Sequence, residues 1–172
     1  MATNWRLSSF NGALLAAYFI PAWSMLAYNI AFAPVHALYD LQNISAALYV
    51  SDHLQMSGVT LVRLAWLLAL ARITVVVFFA VFVALLFRPS IRRAGGCDEA
   101  LAIALGVGSL ISFACMFMAS KVGETAALRL HATELLLMLG TAIVLTVERP
   151  TQPKRKTSAA LALQEPHLLN NR

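Results

Sequence analysis

From Leu64 to Phe87 the chain runs LAWLLALARITVVVFFAVFVALLF, an apolar stretch whose only ionisable residue is Arg72. About 20 apolar residues in helical form cross the hydrocarbon core of a bilayer, so the segment reads as a membrane span. A guanidinium at that depth costs from about 2.5 to 17 kcal/mol, depending on how far it reaches toward the interface. A charge kept at such a cost is expected to have a partner, and another apolar run supplies a candidate in Glu134.

The rest of the composition agrees with a membrane setting. The chain has 172 residues, 60% hydrophobic and only 12% charged, about half the charge of an average soluble domain. Its length accommodates one bundle and a tail, with no room for a second folded domain. The net charge of +5 does not point to nucleic acid, because the basic residues gather at the ends of apolar runs. That is the arrangement that orients helices in a bilayer. Cys97 falls in a polar loop and Cys115 inside an apolar run, so no disulfide is expected, and no CxxC or metal-ligand spacing occurs. The apolar stretch after Arg6 resembles a signal peptide at first. It continues beyond Ile20, however, and the small-x-small site Ala31-Phe32-Ala33 is followed by Pro34, so an uncleaved first span is expected.

Four spans follow, at about residues 10–32, 59–87, 99–120 and 126–147, which predicts an all-α, up-down four-helix bundle. Pro21 lies inside the first span. Asp98 reads as the N-cap of the third, with Glu99 in its first turn. With the N-terminus inside, nine basic residues are cytoplasmic: Arg6, Arg88, Arg92, Arg93, Arg149, Lys154, Arg155, Lys156 and Arg172. Only three, Arg63, Lys121 and Arg129, face the other side, so both termini are expected in the cytoplasm, with a bacterial inner membrane as the setting.

The external segment, residues 33–58, carries Val35, Leu38, Leu41, Ile44 and Leu48 at near-helical spacing. One amphipathic helix lying at the interface is expected, with Tyr39 and Tyr49 at headgroup level. Asn43-Ile44-Ser45 matches a glycosylation sequon, a short pattern that arises readily by chance. The short connection from Lys121 to Thr125 makes the third and fourth spans a tight hairpin. Residues 151–172, basic and proline-containing, read as a disordered cytoplasmic tail. An internal two-plus-two repeat has only weak support, from the Arg-Leu pairs near the starts of the second and fourth spans.

Three candidate sites emerge. Counting at 1.5 Å per residue puts Arg72 about 13 Å past Arg63 and Glu134 about 7.5 Å past Arg129, within combined side-chain reach. An Arg72–Glu134 pair would either fix helix register or serve as a buried relay or anion site. His131 lies three residues before Glu134 on one helix face, where the two could pass protons or bond a quinone head group. Ala104, Gly108 and Ser112, continued by Cys115 and Ala119, form a small-xxx-small stripe suited to close helix packing, within the chain or in a homodimer.

Other chemistry lacks residues to carry it. Haem ligation would need a second histidine within the spans, and His36, His53 and His167 all lie outside them. His36, Asp40, Asp52 and His53 lack a clustered metal-binding spacing. There is no nucleophile triad, phosphate-binding loop or catalytic carboxylate pair, and Gly95-Gly96 reads as a turn. The expectation is therefore a non-enzymatic integral-membrane accessory or complex-subunit protein, without cofactor or metal, whose partners are the lipid bilayer and other membrane subunits. The alternative is a transporter or a proton- or quinone-handling protein built on Arg72, His131 and Glu134.

Overall fold

A computed structural model of the chain describes residues 6–55, 57–88, 90 and 96–148. The expected tail, residues 151–172, lies outside them, as does Gly95 of the expected Gly-Gly turn. The protein is an all-α bundle whose elements are α1 (Leu7–Phe32), α2 (Pro34–Leu38), α3 (Ile44–Leu54), α4 (Gly58–Leu86), α5 (Asp98–Val122) and α6 (Thr125–Glu148). Helices α1, α4, α5 and α6 are each long and apolar enough to cross a membrane, and this makes the chain a four-span membrane protein.

These helices are apolar nearly all round, so hydrophobicity alone does not say which side faces inward. The buried positions do. On α6 they are Ala127, His131, Glu134, Met138, Thr141 and Leu145, and on α4 Ala65, Ala69, Arg72, Val75, Phe79, Phe82 and Leu86. Steps of three and four residues mark an inward seam of the kind that packs helices at shallow crossing angles. Arg72, His131 and Glu134 all sit in these seams rather than beside them.

Helix α1 packs on α4 and α6, and α5 packs on the same two helices, so α4 and α6 face each other across the bundle diagonal. Phe19 of α1 stacks on Phe79 of α4, with ring centroids 5.7 Å apart. The stripe on α5 faces inward, with Ala104 and Ser112 buried. A Cβ placed on Gly108 would come within 2.7 Å of Met138 Sδ, so glycine lets α5 and α6 approach closely there. Gly123, at φ +75°, closes α5 in the left-handed conformation and starts the short turn into α6.

The two ends of the bundle differ. At the end where the chain enters and leaves, Arg6 Nη1 meets Asp98 Oδ2 at 2.6 Å, and Arg6 Nη2 donates to the Glu148 carbonyl at 2.8 Å. The Glu148 carboxylate accepts from the backbone N–H groups of Leu7 and Ser8, both at 2.9 Å. The last residue of α6 thus caps the first turn of α1, whose free N–H groups favour an anion. Asp98, expected as an N-cap, is instead the first residue of α5. Cys97 precedes it, and the Asp98 carboxylate is turned toward Arg6.

At the opposite end, residues 34–54 form a lid. The single amphipathic helix expected there is in fact two helices, α2 and α3, joined by a turn at residues 39–43. The expected apolar face is also displaced: Val35 and Leu41 are exposed, while Ala37, Asn43, Ser45, Ala46, Ala47 and Val50 are buried. The turn breaks the 3.6-residue register, and the close approach of α3 to α5 selects small side chains. Lid residues Ala37, Leu38 and Ala47 form a core with Leu26, Ala27, Ile30, Ala65 and Ala69, so the lid is packed into the bundle end.

A polar layer beneath the lid

Between the lid core and the main core lies a layer of polar side chains from all four spans. Helix α4 contributes Arg72, which is 1% exposed. Its Nη1 donates to Asn43 Oδ1 at 2.6 Å and its Nη2 to the Gln42 carbonyl at 3.2 Å. The guanidinium carbon sits 5.8 Å from the centroid of the Trp23 ring of α1, within the range of cation–π attraction. Cys115 of α5 faces the same guanidinium. Asn43 is fixed in turn by donating from Nδ2 to the Ala37 carbonyl at 2.7 Å, which holds the turn between α2 and α3 closed.

Glu134 of α6 is satisfied separately. Its Oε1 accepts from Trp23 Nε1 at 3.5 Å, its Oε2 accepts from Ser112 Oγ of α5 at 3.3 Å, and His131 Nδ1 lies 3.1 Å from the same Oε2. With the Nδ1–H tautomer, or as an imidazolium, His131 donates to the carboxylate.

The expected direct Arg72–Glu134 pair is therefore not formed. Two features of the backbone explain this. Helices α4 and α6 are diagonal, so side chains of α1 and α5 stand between them. The Cα–Cβ bonds of a helix also tilt toward its N-terminus, and the N-terminus of α4 is at the lid. Arg72 accordingly reaches up to Asn43 and Gln42 rather than across to α6. Trp23 links the two charges instead, offering its ring face to the guanidinium and its N–H to the carboxylate.

Sequence reasoning placed Arg72, His131, Glu134 and Ser112 in the interior but missed Trp23 and Asn43. An indole N–H in an apolar run needs an acceptor, which was a usable signal for Trp23. Asn43 gave none, since it stood among polar residues expected to face water. Its burial, at 1% exposure, also closes the sequon to modification in the folded protein.

The layer is not saturated. Arg72 Nε, His131 Nε2, Gln42 Oε1 and Ser45 Oγ are buried without a protein partner. Two open cavities lie at the lid end. The larger, about 420 Å³, is lined by Ala22, Met25, Leu26 and Asn29 of α1, Asp40, Leu41 and Gln42 of the lid turn, and Leu130 of α6. The smaller, about 170 Å³, shares Asn29 and Asp40 and adds His36. Arg72, His131 and Glu134 line neither. Among the described residues no three His, Cys, Asp or Glu side chains converge as a metal site, and Cys97 and Cys115 are free and buried. No protein-family model, curated protein or solved structure matches this chain.

Proposed function

We propose that the protein is a small non-enzymatic membrane subunit whose polar layer locks four spans and a lid into one fixed shape. The observation that carries this reading is how the Arg72 guanidinium is used: each of its two Nη nitrogens donates to a residue of the lid turn, one to Asn43 and one to Gln42. A charge committed to holding a lid is a poor candidate for a mobile carrier. In this reading the bundle sits in a bacterial inner membrane with both termini cytoplasmic, and it acts by presenting its lid end and lipid-facing sides to other membrane proteins. Reporter fusions test the orientation. Those at Ser51 and Glu124 should read as external and one at Gly96 as cytoplasmic, and a cytoplasmic signal at Ser51 contradicts it.

A second reading is favoured by one observation. His131 Nε2 and Arg72 Nε are buried without partners, as expected if water or a transported proton or quinone occupied the layer. Purified protein in liposomes under an imposed pH gradient separates the two. The structural reading gives no flux above empty liposomes and a fixed stoichiometry with a co-purifying membrane protein. Flux abolished by Glu134→Gln, in a variant that still folds, overturns it in favour of the relay.

A further inference from the structure

We infer that the outer face of α1 is the contact surface of a symmetric homodimer, in which each copy meets hydrogen-bonding groups that the other would strand in lipid. Only the four-span fold is needed for this, whatever the polar layer does.

Pro21 lies inside α1 and is exposed on its outer side. A proline has no N–H, so the Ala17 carbonyl, one turn earlier and also exposed, lacks its ordinary helical donor. Next to it Tyr18 is 42% exposed, its ring in a T-shaped contact with Phe19. Among the described residues the Tyr18 hydroxyl has no hydrogen-bond partner. Tyr18 stands about 16 Å from the start of α1 and about 21 Å from its end at 1.5 Å per residue. In a hydrocarbon core about 30 Å thick, neither group reaches headgroup water. Polar groups at that depth find their partners in protein.

The other spans treat their outward hydroxyls differently. Thr74 of α4, and Thr133 and Thr146 of α6, are exposed and donate to carbonyls of their own helices at 2.9, 2.8 and 2.8 Å. Those hydroxyls are satisfied against lipid. Helix α1 is also the least apolar of the four spans.

A second copy supplies what is missing. Asn11, Leu14, Tyr18, Pro21, Met25 and Tyr28 recur along this face at steps of three and four, the spacing of a two-helix seam. Every copy inserts in one orientation, so a two-fold axis along the bilayer normal sets each residue opposite its own mate at equal depth. The unpaired side chains suit that symmetry, since an Asn amide and a Tyr hydroxyl each donate and accept. Asn11, half-buried and without a side-chain partner among the described residues, would pair with its mate, as a seam Asn does to fix register in parallel coiled coils. Each Tyr18 hydroxyl would serve the Ala17–Tyr18 level of the other copy. A foreign helix would need matching groups at both levels. The small-residue stripe of α5 faces inward and is already used within the bundle.

The test uses the full chain with a C-terminal fluorophore in phosphatidylethanolamine–phosphatidylglycerol liposomes. Single-molecule photobleaching counts copies per assembly over a range of protein-to-lipid ratios. Wild type should form dimers well above the random co-occupancy of a monomer. Tyr18→Phe keeps the ring and should raise the dimer dissociation constant about ten-fold, the worth of two symmetry-related hydrogen bonds in a bilayer. Asn11→Leu should weaken it in the same direction, and both variants should keep the circular dichroism of wild type. Leu14→Cys, exposed on the seam, should form a disulfide-linked dimer on oxidation. Ile103→Cys, exposed on α5 across the bundle, should not. Wild type monomeric at every ratio, dimers unchanged by both Tyr18→Phe and Asn11→Leu, or equal cross-linking at Ile103→Cys each overturns the inference. So does a different membrane protein that co-purifies with wild type and is lost with Tyr18→Phe while wild type alone stays monomeric.

Discussion

Arg72 Nη1 donates to Asn43 Oδ1 at 2.6 Å, so the buried charge of α4 is bonded to the turn of the lid that covers it. Asn43 passes this restraint on by donating to the Ala37 carbonyl at 2.7 Å. A span, a turn and a short helix are thereby connected through two side chains. Partners for a buried guanidinium cost less than leaving it bare, and here they are one side-chain oxygen and one backbone carbonyl of the lid turn.

Trp23 is the hinge between the two charged groups, and its two roles can be separated. Trp23→Phe keeps a ring beside Arg72 but removes the N–H donated to Glu134, a loss of about 1.5–3 kcal/mol for a bond to a charged acceptor. Trp23→Ala removes both and opens a cavity, at about 3–5 kcal/mol. Denaturant titration followed by circular dichroism measures both. Equal losses for the two variants would show that the ring itself contributes little.

At the other end, Glu148 closes the first turn of α1. Glu148→Ala should cost about 0.5–2 kcal/mol, the range for a lost helix cap. Amide exchange should rise at Leu7 and Ser8 and stay unchanged at the lid. Unaltered exchange at those two amides would mean that the cap is not formed in solution.

Gly108 measures how tightly α5 meets α6. Gly108→Ala places a methyl against the end of the Met138 side chain, which can swing aside, so little stability is lost. Gly108→Val adds a second and third carbon and should cost about 1–3 kcal/mol, as overpacking does. Thermal melts in detergent read the difference, and a neutral valine would show a looser seam than the 2.7 Å approach implies.

The spans were legible because about 20 apolar residues between polar ends admit few other readings. Observed and expected ends differ by three residues or fewer, the largest difference being Leu7 against Phe10 in α1. Arg72, His131 and Glu134 were legible as candidates because ionisable residues in such runs are rare. Their partners were not. Pairing depends on which helices are diagonal, and two inward-facing charges at similar depth look alike whether or not α1 and α5 stand between them. The lid was misread for a local reason: a turn at residues 39–43 resets helical phase, and Asn43 is buried by the partner it bonds rather than by its own hydrophobicity.

The central claim is that Arg72 locks the lid through Asn43, and a double-mutant cycle on that pair tests it most directly. Arg72→Leu and Asn43→Leu are made singly and together, and unfolding free energies are measured in one detergent. Each single change strands a buried group, and the Asn43 change alone should cost about 3–5 kcal/mol because it bares a charge. The double variant should lose far less than the sum, with a coupling of about 1–3 kcal/mol, and the same cycle on Arg72 and Glu134 should give a smaller one. Losses that add to within about 0.5 kcal/mol for Arg72 and Asn43 would contradict the account, because the two side chains would then be acting independently.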